Sequence, residues 1–179
     1  MNQELSNKLY TDYPEIFFIG AAGGQVIVRC GDGWYPLIDQ LCKHLMRPVI
    51  NERNALQRAE KELNSSNLSQ REWKTRYYTP EHLKKIQNNL TGLESQIPIA
   101  IQVKEKFGTL RFCVNESTEK QAEAIDFAEA LSSRICEQCG MMKDTKTYRD
   151  GWHVTLCVSC AAAQPHIAED GLNNDMWGV

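Results

Sequence analysis

Two cysteine pairs constrain this chain more than any other feature. Cys136 and Cys139 are separated by two residues, Cys157 and Cys160 repeat that spacing, and 17 residues lie between Cys139 and Cys157. A two-residue spacer lets both sulfurs of a pair reach one ion along adjacent edges of a tetrahedron, and two such pairs at this separation match a four-thiolate zinc site. Two disulfides would need an oxidising compartment, and Met1 to Glu4 carry no basic flank followed by an apolar core, so no export signal is expected. A redox-active pair would not need a second pair at metal spacing. Four thiolates fill a tetrahedron, so the expected metal is one structural Zn2+ per chain. Between the pairs, Asp150 and Gly151 signal a turn, Trp152, Val154 and Leu156 alternate, and Ala161 to Gln164 can begin a helix, an order that predicts a treble-clef-like or ribbon-like finger. His153 is expected to face solvent on a strand. Cys30, Cys42 and Cys113 lack metal spacing and are expected as small buried hydrophobes.

The rest of the chain reads as a mixture of short strands and amphipathic helices. Gln25 to Cys30 alternates as a strand ended by Gly31-Asp32-Gly33, and Leu37, Ile38, Leu41, Cys42 and Leu45 follow Pro36 at helical spacing until Pro48 interrupts or restarts the run. Val49, Leu56, Ala59 and Leu63 continue at helical intervals. Thr79 caps a second helix in which Leu83, Ile86, Leu90, Leu93 and Ile97 form a narrow seam. These two helices either pack as a projecting hairpin or lie on the core as ordinary amphipathic helices. Ile99, Ile101 and Val103, then Leu110, Phe112 and Val114, predict an antiparallel hairpin turning at Gly108, with Trp34, Phe107, Leu110 and Phe112 in the core. Thr118 and Gln121 have capping-box spacing ahead of a helix that places Ala124, Ile125, Ala128, Leu131 and Ile135 on one face. The expected fold is therefore α+β: a small antiparallel sheet with packed helices, a helical hairpin inserted at 48–97 within a core domain 1–135, and a C-terminal four-cysteine zinc finger with its tail at 136–179.

Charge is distributed unevenly. The chain is net −3, yet residues 43–96 carry ten basic and six acidic side chains. Within that segment Trp73, Tyr77 and Tyr78 are interleaved with Arg71, Lys74 and Arg76, a mixture suited to a partner-binding surface of protein or nucleic acid, or to packing at a hairpin tip. Lys104, Lys106 and Arg111 come together across the expected hairpin as a possible anion-binding patch, or as a solvated face paired with Glu105 or Glu116. The longest apolar stretch, Ile16 to Gly24, is nine residues, far below the roughly 20 of a membrane helix, so no membrane partner is expected. No G-x-x-x-x-G-K, G-x-G-x-x-G, H-E-x-x-H or G-x-S-x-G occurs.

Three landmarks, Gly31-Asp32-Gly33-Trp34-Tyr35, Lys104 to Phe112 and the cysteine pairs with Gly151-Trp152 and Thr155-Leu156-Cys157, occur together after a Tyr13 to Phe17 start. This combination resembles a widespread group of small proteins of tailed bacteriophages and bacteria, over roughly residues 10 to 160. The resemblance implies no established activity. The segment 48–97 is longer here than in those relatives, which points to it as the carrier of a specialised role. The expected function is that of a phage-type accessory protein in the host cytoplasm that binds a host or defence-system protein. A nucleic-acid-binding zinc-finger protein is the alternative, and an enzyme with an active site of no familiar motif is a third reading.

Overall fold

A computed structural model describes residues 1–18, 24–64, 78–150, 152–164 and 167, with Asp150 and Trp152 described in their backbone alone. The chain divides into two compact units, Met1–His44 together with Pro98–Val179, and Leu45–Ile97.

In the first unit, α1 (Gln3–Asp12) starts at Asn2, whose side chain accepts the Leu5 N–H, and is followed by the single turn α2 (Pro14–Phe17). Strand β1 (Val28–Arg29) leads through a 3-10 turn at Asp32–Trp34 into the long helix α3 (Tyr35–Leu63). Strands β2 (Ala100–Lys106) and β3 (Thr109–Val114) form an antiparallel hairpin, and β1 lies parallel to β2 with Val28 opposite Val103. The three-stranded sheet is thus mixed, not wholly antiparallel: β1 and β2 run the same way because a long helical crossover, not a hairpin turn, separates them in the chain. Helix α5 (Glu119–Ser132) begins with the capping box Thr118 and Gln121. It covers the β3 edge, where Glu129 accepts the Phe112 N–H at 2.7 Å and the Ser132 hydroxyl accepts the Leu110 N–H at 2.8 Å. Side-chain acceptors so placed satisfy amides that an open strand edge would leave unpaired. Strands β4 (Thr145–Asp150) and β5 (Trp152–Cys157) make a second antiparallel ribbon, ending in the short helix α6 (Val158–Ala162).

Leu9, Ile16, Phe17, Trp34, Ile38, Val103, Leu110 and Phe112 are buried, with the Phe17 and Phe112 rings edge to face at 6.3 Å. Two expectations fail here. Ile101 is 54% exposed, because the pairing register shifts between Ala100 and Gln102 and turns Ala100 inward in its place. A bulge of this kind breaks the period of two on which the reading rested. Phe107 is not in the core either: it is 64% exposed at the tip of the β2–β3 hairpin.

In the second unit, α3 passes through Pro48 without interruption. Pro48 has no N–H for the His44 carbonyl, but both residues lie on an exposed face where water can take up the freed acceptor, while Leu45, Met46 and Val49 are buried. Helix α4 (Pro80–Glu94) is capped by Thr79, which accepts the His82 N–H. Along the expected seam Ile86 is buried and Leu56, Leu83 and Leu90 are half-buried, whereas Leu63 is 41% exposed. Ala59 is fully buried, and Arg53 pairs with Glu94 at 2.7 Å to fasten α3 to the last turn of α4.

Candidate metal centre

The helix α5 delivers the chain to a tight knuckle. The Cys136 N–H donates to the Met141 carbonyl at 2.8 Å, the Gly140 N–H donates to the Cys136 carbonyl at 2.8 Å, and Gly140 takes φ of +77°. That left-handed conformation is strained for any residue with a Cβ, which explains glycine immediately after the second cysteine. The other pair lies at the end of β5, where Cys157 occupies the N-cap of α6 and Cys160 follows within the helix. The four Sγ atoms of Cys136, Cys139, Cys157 and Cys160 all fall within 4.8 Å of one another, and those of Cys139 and Cys157 are 3.7 Å apart. A disulfide requires about 2.05 Å. A tetrahedron with metal–sulfur bonds of about 2.3 Å has edges of about 3.8 Å. The cluster therefore has the dimensions of a metal-binding site and not of bridged cystine.

The thiol electrostatics of the cluster pull in both directions. The Cys160 amide hydrogen-bonds the Cys157 sulfur and, with the neighbouring thiols, draws the Cys157 thiol down to about 7. Cys139 receives a comparable bond from the Met141 amide, but desolvation and the Cys136 and Cys157 thiols outweigh it and hold Cys139 above the ordinary thiol value. Burial likewise raises Cys160. Four thiolates this close repel one another unless a cation sits among them, so the donor set gains most from a divalent, sulfur-seeking metal.

The knuckle is clamped from two sides by residues far away in the chain. On one side, Gly33 N–H donates to the Glu137 carbonyl at 2.7 Å, Gly31 N–H to Glu137 Oε1 at 2.8 Å, and the buried Trp34 Nε1 to the Ile135 carbonyl at 2.8 Å. A Cβ on Gly33 would stand closer than 3.0 Å to the Cys136 carbonyl oxygen and to the Gly140 and Cys139 nitrogens. On the other side, Glu137 N–H donates to the Thr155 carbonyl at 2.8 Å. The buried Thr155 hydroxyl donates to the Gly108 carbonyl at 2.6 Å and lies 2.8 Å from the Thr147 hydroxyl, so β5 joins the knuckle to the tip of the β2–β3 hairpin. Gly31, Gly33, Trp34, Glu137, Thr155 and Gly108 are thus parts of the centre that sequence reading did not identify. The sequence marks Gly31–Tyr35, Lys104–Phe112 and Thr155–Cys157 as landmarks, but no spacing among them places them at the metal centre.

The remaining candidate residues are placed as follows. Lys104 and Arg111 stand opposite each other in the β2–β3 register; Arg111 is ion-paired with Glu129 at 3.0 Å, and the Lys106 amino group lies 5.2 Å from the centre of the Phe107 ring. Tyr78 packs edge to face on His82 with ring centres 6.2 Å apart, and Arg71, Trp73, Lys74, Arg76 and Tyr77 lie outside the described residues. Cys30 and Cys42 are buried and Cys113 half-buried, none of them part of the sulfur cluster, and burial raises the Cys30 thiol to about 12. His153 is half-buried, accepts the Arg149 Nε–H at 2.8 Å and is not part of the sulfur cluster. Among the described residues, no helix is long and apolar enough to cross a membrane. No protein-family model, curated protein or solved structure matches the chain.

Proposed function

We propose that this chain is a zinc-stabilised binding protein: Cys136, Cys139, Cys157 and Cys160 hold one structural Zn2+ in a treble-clef-like finger, and the protein acts by engaging a macromolecule. The observation that carries the metal assignment is the sulfur geometry, four thiol groups within 4.8 Å of one another with one edge at 3.7 Å. Four sulfurs complete a tetrahedral shell and leave no position for a reactive water, which favours a structural ion over a catalytic one. The order knuckle, β-ribbon, helix N-terminus also favours the finger, and the clamp by Gly33 and Thr155 would carry the rigidity of the metal into the three-stranded sheet.

Elemental analysis of protein purified without oxygen should find one zinc per chain, and Cys139→Ser with Cys157→Ser together should abolish it. Protein that is folded and metal-free would overturn the assignment. For the partner, the resemblance to phage-associated proteins and the basic, aromatic composition of 71–78 favour a host or defence-system protein. Replacing Arg71, Lys74 and Arg76 by glutamate should then release a partner captured from bacterial lysate after nuclease treatment while leaving the zinc content unchanged. Capture that survives this triple change, with zinc intact, would exclude the segment as the binding surface.

A further inference from the structure

The β2–β3 hairpin turns through two residues only, since Lys106 pairs with Thr109. Both loop residues have positive φ, +57° at Phe107 and +76° at Gly108. Two-residue loops of this kind call for Asn, Asp or Gly at the first position, and a bulky residue there is strained. Here that position holds a phenylalanine, a residue 64% exposed. A residue that is both conformationally unfavourable and largely outside the core contributes little to folding, and such outliers cluster at functional sites. The turn is otherwise well supported. Glu105 Oε1 accepts the Gly108 N–H at 2.6 Å, Thr155 holds the Gly108 carbonyl, and a Cβ on Gly108 would meet Thr147 Cγ2 at 2.5 Å. The ring is thus presented by a fixed backbone.

Its surroundings define what it could bind. Lys106 Nζ lies 5.2 Å from the ring centre, His153 meets it edge to face at 5.6 Å, and Arg149, exposed, donates to His153 Nε2 at 2.8 Å. Glu105, the nearest acidic side chain on the hairpin, is turned back onto the Gly108 amide. One exposed aromatic ring, with an exposed lysine over one face and an exposed arginine held beside it through His153, offers too little apolar area for the core of a protein interface, which needs several such side chains together. It has instead the composition of a site for a stacked base between phosphates. We propose that this tip is a stacking platform for single-stranded nucleic acid, in which Phe107 takes one base and Lys106 and Arg149 meet the adjoining phosphates. None of these residues belongs to segment 71–78, and the inference goes beyond the zinc and protein-partner reading.

The test is fluorescence anisotropy with labelled 15-nucleotide oligo-dT and oligo-U, about the length that one small binding fold covers. Two salt concentrations are used, and melting curves and zinc content are recorded for every variant. Phe107→Asn supplies the residue that the turn prefers, so it should melt at or above the wild-type temperature with zinc unchanged, yet bind the oligonucleotides about tenfold or more weakly. Phe107→Trp should retain binding. Lys106→Gln should lower the slope of log affinity against log salt by about 0.7, the contribution of one phosphate contact on a single strand. Preference for one oligonucleotide assigns the site to DNA or RNA. The proposal is overturned if the wild-type protein binds neither strand at low salt, if Phe107→Asn binds as the wild type does, or if Phe107→Asn melts clearly lower, which would make the ring structural. Zinc content separates these outcomes from failure of the metal assignment.

Discussion

Gly33→Ala adds one methyl group where the Gly31–Trp34 segment lies against the first cysteine knuckle. The new Cβ would be closer than 3.0 Å to three backbone atoms, the Cys136 oxygen and the Gly140 and Cys139 nitrogens, and none of these can rotate away as a side chain could. Relief requires the two segments to part, which weakens the 2.7 Å bond from Gly33 N–H to the Glu137 carbonyl and strains the neighbouring bond from Trp34 Nε1 to Ile135. Overpacking costs about 1 to 3 kcal/mol and a weakened hydrogen bond about 1 kcal/mol, so a loss of about 2 to 4 kcal/mol is expected. For a chain of this size that is a fall of roughly 5 to 15 °C in melting temperature. Gly92→Ala is the matched control. It makes the same chemical change inside α4, where nothing lies within 4 Å, and should stabilise by about 0.5 to 1 kcal/mol through lost freedom of the unfolded chain. Both variants would be followed by circular dichroism on heating and by the rate at which a chelating dye extracts metal. Extraction should be faster for Gly33→Ala alone. A Gly33→Ala protein that melts within about 1 °C of wild type and releases metal at the same rate would refute the clamp.

The core makes its own prediction: Phe112→Ala should cost about 3 to 5 kcal/mol in chemical denaturation, because the ring is buried and packed on Phe17, and an unchanged midpoint would show the strand face to be misassigned. Pro48→Ala should stabilise by about 1 to 3 kcal/mol, since it restores a helical N–H donor at an exposed position of a continuous helix; a lower melting temperature would mean that proline fixes the local backbone. Tyr13 gives a pH dependence. Burial and the 2.7 Å bond it donates to Asp39 raise its folded-state value well above the usual 10, so its stabilising contribution is complete below about 10 and is lost as pH rises beyond that. Tyr13→Phe should flatten the alkaline arm of the stability curve, and an identical arm in both proteins would exclude Tyr13 as its source.

What could be read in the sequence was what depends on near neighbours. The two C-x-x-C spacings are local geometry, and the four sulfurs come together as that geometry requires. Thr79 and the Thr118–Gln121 box cap their helices as read, because a cap is decided within four residues. Errors arose where a distant partner or a single backbone irregularity decided the outcome. Ile101 alternates correctly with Val103 on paper, but the register shift at Ala100 and Gln102 exchanges its face. Phe107 carries the hydrophobicity of a core residue and is displaced from the core by the two-residue turn that contains it. Pro48 reads as interrupting or restarting its helix, yet α3 runs straight through it, and exposure of the carbonyl it leaves unpaired makes it tolerable.

The glycines at 31 and 33 show most clearly why a contact map cannot be read from motifs alone. Nothing within ten residues of Gly33 explains its lack of a side chain; the reason lies at Cys136 and Gly140, more than 100 residues later. Gly108 has a local reason, its φ of +76° in the two-residue turn, and a distant one as well, since its close neighbours are Thr147 and Thr155 on the ribbon between the cysteine pairs. The 31–35 landmark therefore packs on the first cysteine knuckle, and the turn of the 104–112 landmark packs on the ribbon that joins the two cysteine pairs. A metal bound at that point would tie together stretches of chain that are distant in sequence, closing long loops whose entropy would otherwise oppose folding. Metal loss should then be felt at Trp34 and at the β2–β3 turn as well as in the ribbon. Hydrogen exchange with and without chelator would test this: faster exchange at the amides of Gly33, Glu137 and Gly108 together is the expected result, and loss of protection confined to the 145–157 ribbon would show that the clamp holds without the metal.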